Sequence, residues 1–357
     1  GDLWFQWSPD SKWPLSNYIG HGGWNNSDIA LVPADGSQKI TNLTNSGYND
    51  NNGRWVLGGK AMLFMSDRAG YRSHGSWGAE YDAYLMFFDL EAYERYRMNK
   101  EERALAKENM TEKEKKKEEK KEEKEKKEME KPEAKEMEPL KFDLENCRDR
   151  IVRLTVTPSF LGDILLDKDG ENIYYNVAFE KGMDLWHRDL MTGNTELLIK
   201  NVGNGEMMFD KSYKEIYLAA DGGIKKVTPQ SKAVKNIEFE AQFNYQPYKE
   251  RAYMFDHVWR QVKDKFYDKN IHGVDWEGYR KTYERFLPYI NNNHDFQEML
   301  SEMLGELNAS HTGARYSGSW ASLQTASLGL FFDEDYTGDG LKIAEVIKGS
   351  EIACKQT

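Results

Sequence analysis

Up to about Ala241, short alternating or apolar runs are separated by turn residues, the pattern of β-strands joined by hairpins. Phe5-Gln6-Trp7 runs into Ser8-Pro9-Asp10-Ser11, Asp28-Ile29-Ala30-Leu31-Val32 into Pro33-Ala34-Asp35-Gly36, and Ile40-Thr41-Asn42-Leu43-Thr44 closes the group. The same order returns at Trp55–Lys60, Met62–Arg68 and Asp82–Asp89, and again at Asp167–Tyr175, Asp184–Leu190 and Thr195–Ile199. A fourth copy spans Phe209–Leu218 and Gly222–Val227. Units of about four strands recurring every roughly 40–50 residues predict a β-propeller, with a β-sandwich as the alternative.

Beyond Ala241 the apolar positions recur at three and four. Ala252, Phe255, Val258, Trp259, Val262 and Phe266 predict one amphipathic helix, and Phe296, Met299, Leu300, Met303, Leu304 and Leu307 another. Trp276, Tyr279, Tyr283, Phe286 and Leu287 outline a third between them, from near Asp275 to Pro288. Asp295 and Glu298 are placed as a capping box. Ser327–Phe331, a turn at Asp335–Gly340 and Leu341–Ser350 then read as a hairpin, and the sequence reaches Thr357 before these strands acquire a core.

Composition changes this picture in one place. Glu112–Lys131 holds ten Lys, nine Glu and one Met, with nothing to bury; it is a charged surface insertion, compatible with a solvated helix or with disorder. The 357 residues allow two to three domains at roughly 100–200 residues each. A net charge of −11 gives no basic footprint for nucleic acid, and no apolar run is long enough to span a bilayer. Cys147 and Cys354, without a CxxC or Cys/His ladder, signal neither a disulfide framework nor zinc. The opening Gly1-Asp2-Leu3-Trp4 has no initiator Met, so the natural N-terminus, with any secretion signal, is expected to lie upstream.

The most pointed candidate for chemistry is His311 in Met303-Leu304-Gly305-Glu306-Leu307-Asn308-Ala309-Ser310-His311-Thr312-Gly313. An imidazole just past a helix end can project from a rigid element into a cleft, where a base meets its nucleophile. A His satisfying the backbone at a helix end is the ordinary alternative, and spacing alone does not choose. Tyr253–Trp259, Phe266-Tyr267, His272-Gly273-Val274-Asp275-Trp276 and Glu302–Thr312 resemble the helical core of the tricorn-like serine peptidases, relatives of C-terminal processing peptidases. The strand units resemble TolB-like blades, although only the first keeps Ser8-Pro9-Asp10.

The resemblance implies a multidomain fold, laid out as β-propeller blades in 1–100, a charged insertion in 101–141, further blades in 142–241, a helical core subdomain in 245–316 and an incomplete PDZ-like domain in 322–357. It places His311 as general base and Ser310 as a supporting residue of the catalytic group. The family's nucleophilic serine and glutamate follow the PDZ domain, so neither is assigned within this chain, which is expected to be inactive alone. A peptide or unfolded polypeptide is the implied substrate, a C-terminal catalytic subdomain the implied partner, and no cofactor is implied; homo-oligomerisation is left open. Leu328, Gly329 and Leu330 resemble a PDZ carboxylate-binding loop, with a tight strand-initiating turn as the equal alternative. Relatives point to the periplasm or other bacterial export, with the cytoplasm as the alternative. The competing reading is a propeller and PDZ scaffold without catalysis.

Other signals are discounted. Asp333, Asp335, Thr337 and Gly338 imitate a calcium loop, but its twelfth position is Ala344, so a hairpin turn is expected and no metal site is assigned. His187 is expected to be structural in a strand and His257 packed in a helical core. His21 and His74 sit in Gly/Ser/Trp-rich loops without companion ligands. No phosphate-binding glycine motif occurs, and the sequon Asn42-Leu43-Thr44 has no secretory context to act in.

Overall fold

Among the described residues before Ala241, each strand pairs antiparallel with a neighbour in sequence, and the result is four four-stranded sheets. The computed structural model describes residues 4–20, 26–37, 39–73, 78–109, 139–179, 181–318, 328–348 and 350, in two compact units divided between Glu240 and Ala241. The first sheet holds β1 (Phe5–Trp7), β2 (Pro14–Tyr18), β3 (Asp28–Leu31) and β4 (Thr41–Asn42). The second holds β5 (Asp50–Val56), β6 (Ala61–Ser66), β7 (Asp82–Phe87) and β8 (Ile151–Arg153). The third comprises β9 (Phe160–Leu166), β10 (Asn172–Ala178), β11 (Asp184–Asp189) and β12 (Thr195–Ile199), and the fourth β13 (Gly205–Phe209), β14 (Ile216–Ala220), β15 (Gly223–Thr228) and β16 (Ala233–Ile237).

These sheets are propeller blades, because successive sheets pack face to face and their first strands surround common space. Along β6, Ala61, Leu63 and Met65 face Leu161, Ile164, Leu166 and Ile173 of the third blade. The alternate residues Met62 and Phe64 face Leu15, Ile29 and Leu31 of the first. Both faces of the second blade are therefore covered, which is why Met62-Leu63-Phe64-Met65 and Ala83–Phe88 are continuous apolar runs instead of alternating ones. β1, β5, β9 and β13 line a cavity of about 1200 Å³.

A polar lock ties three blades together at that cavity. Both oxygens of the Asp163 carboxylate lie 2.8 Å from one guanidinium nitrogen of Arg54, and Arg54 also donates to the carbonyls of Ile164 and Met207 at 3.2 and 3.1 Å. Asp163 further accepts from Asn52 Nδ2 at 2.8 Å and from the Met207 amide at 2.6 Å. Bulges aim these side chains: the ladder of β5 slips between Asn51 and Arg54, and that of β9 opposite Asn176 and Val177, where Gly162 is the extra residue. A Cβ at Gly162 would stand 2.3 Å from Asn204 Oδ1 and 2.7 Å from Met183 Cε, so a larger residue there would have to push both side-chain ends aside.

A second device repeats. The aspartate opening the third strand of a blade holds the turn beyond its fourth: Asp28 accepts from Thr44 Oγ1 and the Ser46 amide, Asp82 from Thr155 Oγ1, and Asp184 from the Asn201 amide. In the fourth blade that position is Gly223, and the device is missing.

The structure alters two expectations here. Strands do not continue to residue 100: α1 (Leu90–Arg97) follows β7, capped by Asp89, and α2 (Lys100–Glu108) follows with a capping box of Asn99 and Glu102. β8, which completes the second blade, comes only at Ile151, so the charged segment interrupts a blade between its third and fourth strands. Glu112–Lys131 itself lies outside the described residues.

In the second unit α3 (Pro247–Lys265), α4 (Trp276–Glu284) and α5 (Asn293–Gly305) pack around Phe255, Trp259, Trp276, Tyr283, Phe296 and Met303. The indoles of Trp259 and Trp276 each donate to the other residue's carbonyl, at 3.1 and 3.0 Å, satisfying both buried N–H groups. The expected capping box at Asp295 and Glu298 is displaced: Asn292 is the N-cap, accepting from the Asp295 amide at 2.9 Å. α4 is capped by Asp275 and stops at Glu284, short of Pro288, with a 3-10 turn at Leu287–Tyr289. β17 (Leu330–Phe332) and β18 (Ile343–Val346) form an antiparallel pair, each shorter than its apolar run. No helix among the described residues is long and apolar enough to cross a membrane.

Candidate functional site

The path to His311 starts on α5. Phe296, Met299, Leu300, Met303 and Leu304 form its buried stripe, and Leu307, just past its end, is also buried. Asn308 then takes a left-handed conformation at φ +47°, as residues that end helices often do. The chain turns at Ala309–Thr312, with Thr312 Oγ1 donating to the Ala309 carbonyl at 3.1 Å, and returns to the helix. Ala314 is caught there: its amide donates to Ser301 Oγ at 3.0 Å, and its carbonyl accepts from Ser301 Oγ and Gln297 Nε2 at 3.1 Å each.

His311 occupies the tip of this loop, exposed, with φ +61°. Left-handed backbone is uncommon outside glycine, and histidine is among the few side chains enriched there. Among the described residues its ring has no hydrogen-bond partner, and neither has the hydroxyl of exposed Ser310. Two free imidazole nitrogens on a solvent-facing tip can accept or deliver a proton to any group brought within about 2.6–3.2 Å.

The loop's root is anchored from two other elements. Tyr283 Oη donates to Glu306 Oε1 at 2.9 Å; burial, reinforced by that carboxylate, pushes the phenol up to about 12, so it remains a donor at neutral pH. His272 Nδ1 lies 2.9 Å from the Leu307 carbonyl, and its Nε2 is hydrogen-bonded to Tyr267 Oη. The segment presenting His272 is shaped by Asp268, whose carboxylate accepts the amides of Asn270 at 3.0 Å and His272 at 2.9 Å.

Those two amides hold the Asp268 carboxyl below its ordinary 3.8. A depressed folded value means the contribution is complete above the unfolded value and is lost as pH falls through the folded one. The Asn270 and His272 amide resonances are therefore expected to titrate with a midpoint below 3.8, and not in Asp268→Asn. A midpoint at or above 3.8 would contradict the cap.

Residues 247–305 match the tricorn protease C1 domain. The matched stretch is α3 to α5, and the His311 loop follows its last residue. Over 226 residues the chain is 25% identical to tricorn protease homolog 1 of Streptomyces coelicolor, covering 53% of this chain and 20% of that protein. The fold also matches a crystal structure of tricorn protease with a TM-score of 0.56 over 96% of this chain and 32% of that one; at 15% identity this is a likeness of fold. The chain spans about a fifth of the length of the curated relative it matches.

The other sequence candidates each have their own local setting. Leu328 is exposed, Gly329 is buried with φ +66°, its carbonyl accepting the Ile347 amide at 2.7 Å, and Leu330 opens β17. Ser327, His21, His74 and Cys354 lie outside the described residues. Asp333 pairs with Lys342 at 2.8 Å and accepts the Asp335 amide at 3.1 Å, stitching the β17–β18 turn. His187 is stacked on Tyr174 with Nε2 2.8 Å from Asn172 Oδ1, in a structural setting. His257 is not in the core: it is exposed, on the outer face of α3, and stacks on Tyr253. The buried stripe passes through Phe255 and Trp259, and His257 falls between them. His272 stood in the sequence only as part of the tricorn-like resemblance and not as an anchor, because its partner is 35 residues away.

Proposed function

We propose that this chain is part of a serine-type peptidase of the tricorn kind, with His311 as general base. In this reading His311 takes the proton of a serine hydroxyl as the serine attacks a peptide carbonyl, then passes it to the leaving amine. Ser310 helps to hold the catalytic group. It is not the attacking serine, since neighbours in sequence diverge in direction. The nucleophile comes from outside residues 1–357, and the substrate is a peptide or unfolded polypeptide. The propeller docks substrate, Leu328–Leu330 receives a peptide carboxylate, and the protein works in the periplasm.

The observation that carries the proposal is the unpaired, exposed imidazole at the tip of a doubly anchored loop, directly after the stretch that matches the C1 domain. The test compares residues 1–357 with a longer polypeptide that continues the reading frame. A fluorophosphonate probe is expected to label one serine in the longer protein, which hydrolyses unfolded casein, and none in 1–357. A stoichiometrically labelled serine within 1–357 would refute the division of the catalytic group. A longer protein that neither labels nor hydrolyses would favour a scaffold.

A further inference from the structure

We infer that His272 is a positioning residue for the loop that carries His311, an inference resting on the reading of His311 as general base. Ile271, His272 and Gly273 have φ of +48°, +53° and +74° in succession. A β-branched residue in the left-handed region is an outlier, and it persists only where its surroundings over-determine it. Ile271 packs against the helical core, Asp268 holds the amides of Asn270 and His272, and the Ile271 amide donates to the Asp268 carbonyl at 2.9 Å. The outcome of this unfavourable turn is specific: it presents the His272 ring to the Leu307 carbonyl.

In the neutral ring the partners fix the tautomer. A carbonyl 2.9 Å from Nδ1 requires the proton on Nδ1, which leaves Nε2 to accept from the Tyr267 hydroxyl. The ring thus clips the start of the loop at Leu307, while Ser301 and Gln297 clip its end at Ala314. Pinned at both ends, with a left-handed tip between, the loop confines His311 to a short arc. A base must be held within a fraction of an ångström of its proton donor's line, so the anchor is worth catalytic rate although it touches no substrate.

Amide hydrogen exchange on 1–357 tests the anchoring without any assay of turnover. His272→Ala is expected to speed exchange across 307–314 by about tenfold or more while leaving the propeller unaffected. His272→Asn should restore it, since the amide nitrogen can stand in for Nδ1 and Asn tolerates left-handed backbone. Ser301→Ala, which releases the other end, should also accelerate exchange there, and it serves if His272→Ala does not fold. Unchanged exchange in these variants overturns the positioning role. In the longer polypeptide, His272→Ala is expected to lower kcat roughly 10–100-fold with KM nearly constant, again rescued by Asn. Full kcat in His272→Ala, where loss of His311 inactivates the enzyme, overturns the catalytic consequence. If loss of His311 has no effect, the general-base reading fails while the exchange result stands on its own.

Discussion

His311→Asn, in a polypeptide that supplies the nucleophile, is expected to lower kcat by about 10²–10⁴-fold with KM close to that of the parent. Asparagine is the informative replacement because it separates two consequences of losing the histidine. His311 sits at φ +61°, a conformation in which histidine and asparagine are enriched and alanine is not, so alanine could loosen the loop by itself. Asparagine tolerates that conformation and offers an amide of similar reach, but it cannot carry a proton between nucleophile and leaving group. A fall in kcat shared by the Asn and Ala variants, with unchanged melting temperature in the former, identifies proton transfer as the missing function. Steady-state kinetics on an unfolded protein substrate checks this. Parental turnover in His311→Asn would remove His311 from the mechanism.

Ser310 separates support from attack in the same assay. Its hydroxyl is exposed beside the base, but the adjacent backbone at Ala309–Thr312 is already turned by the Thr312–Ala309 hydrogen bond. The loop's shape therefore does not depend on Ser310, and whatever Ser310 adds is made only when the catalytic group is complete. This is the reverse of His272, whose contact exists in the chain on its own.

How much of this was legible in the sequence depends on the range of the interaction concerned. Strand runs such as Met62–Arg68 and Asp184–Leu190, and the buried stripe of α5, are readable because alternation and three-four spacing are local consequences of one face meeting a core. The N-cap of α5 was misplaced by one turn because Asn292 and Asp295 are both good caps, and the choice lies with the backbone arriving from Ile290. The charged segment hid the completion of a blade, since β7 ends at Phe87 and β8 begins only at Ile151. His311 was singled out by position after a helix, yet its role came from resemblance. The His272 anchor and the Asp163 lock were both invisible, since each joins elements that only the fold brings together.

Asp163→Ala is expected to destabilise the propeller unit by about 3 kcal/mol, the lower end of the range for breaking a buried ion pair from one side. The carboxylate is nearly inaccessible, with 3% of its side chain exposed, and it gathers the Asn52 amide, the Arg54 guanidinium and the backbone amides of Ile164 and Met207. Its removal leaves those donors without their acceptor and strands the Arg54 charge, although Arg54 keeps its two carbonyl partners and 17% exposure toward the cavity, which is why the lower end applies. For a unit of this size that loss corresponds to a fall in melting temperature of roughly 6–12 °C. Asp163→Asn should also be poor, because its amide nitrogen cannot accept from the Met207 N–H that now lies 2.6 Å from the carboxylate. The double replacement Arg54→Leu/Asp163→Leu is expected to lose less than the sum of its singles, since it removes the stranded charge together with its partner. Thermal unfolding followed by near-ultraviolet circular dichroism measures the five variants, the two Leu singles included, and the parent. Additive losses, or an Asp163→Ala melt within a degree or so of the parent, would mean that the three blades are held by their apolar faces alone.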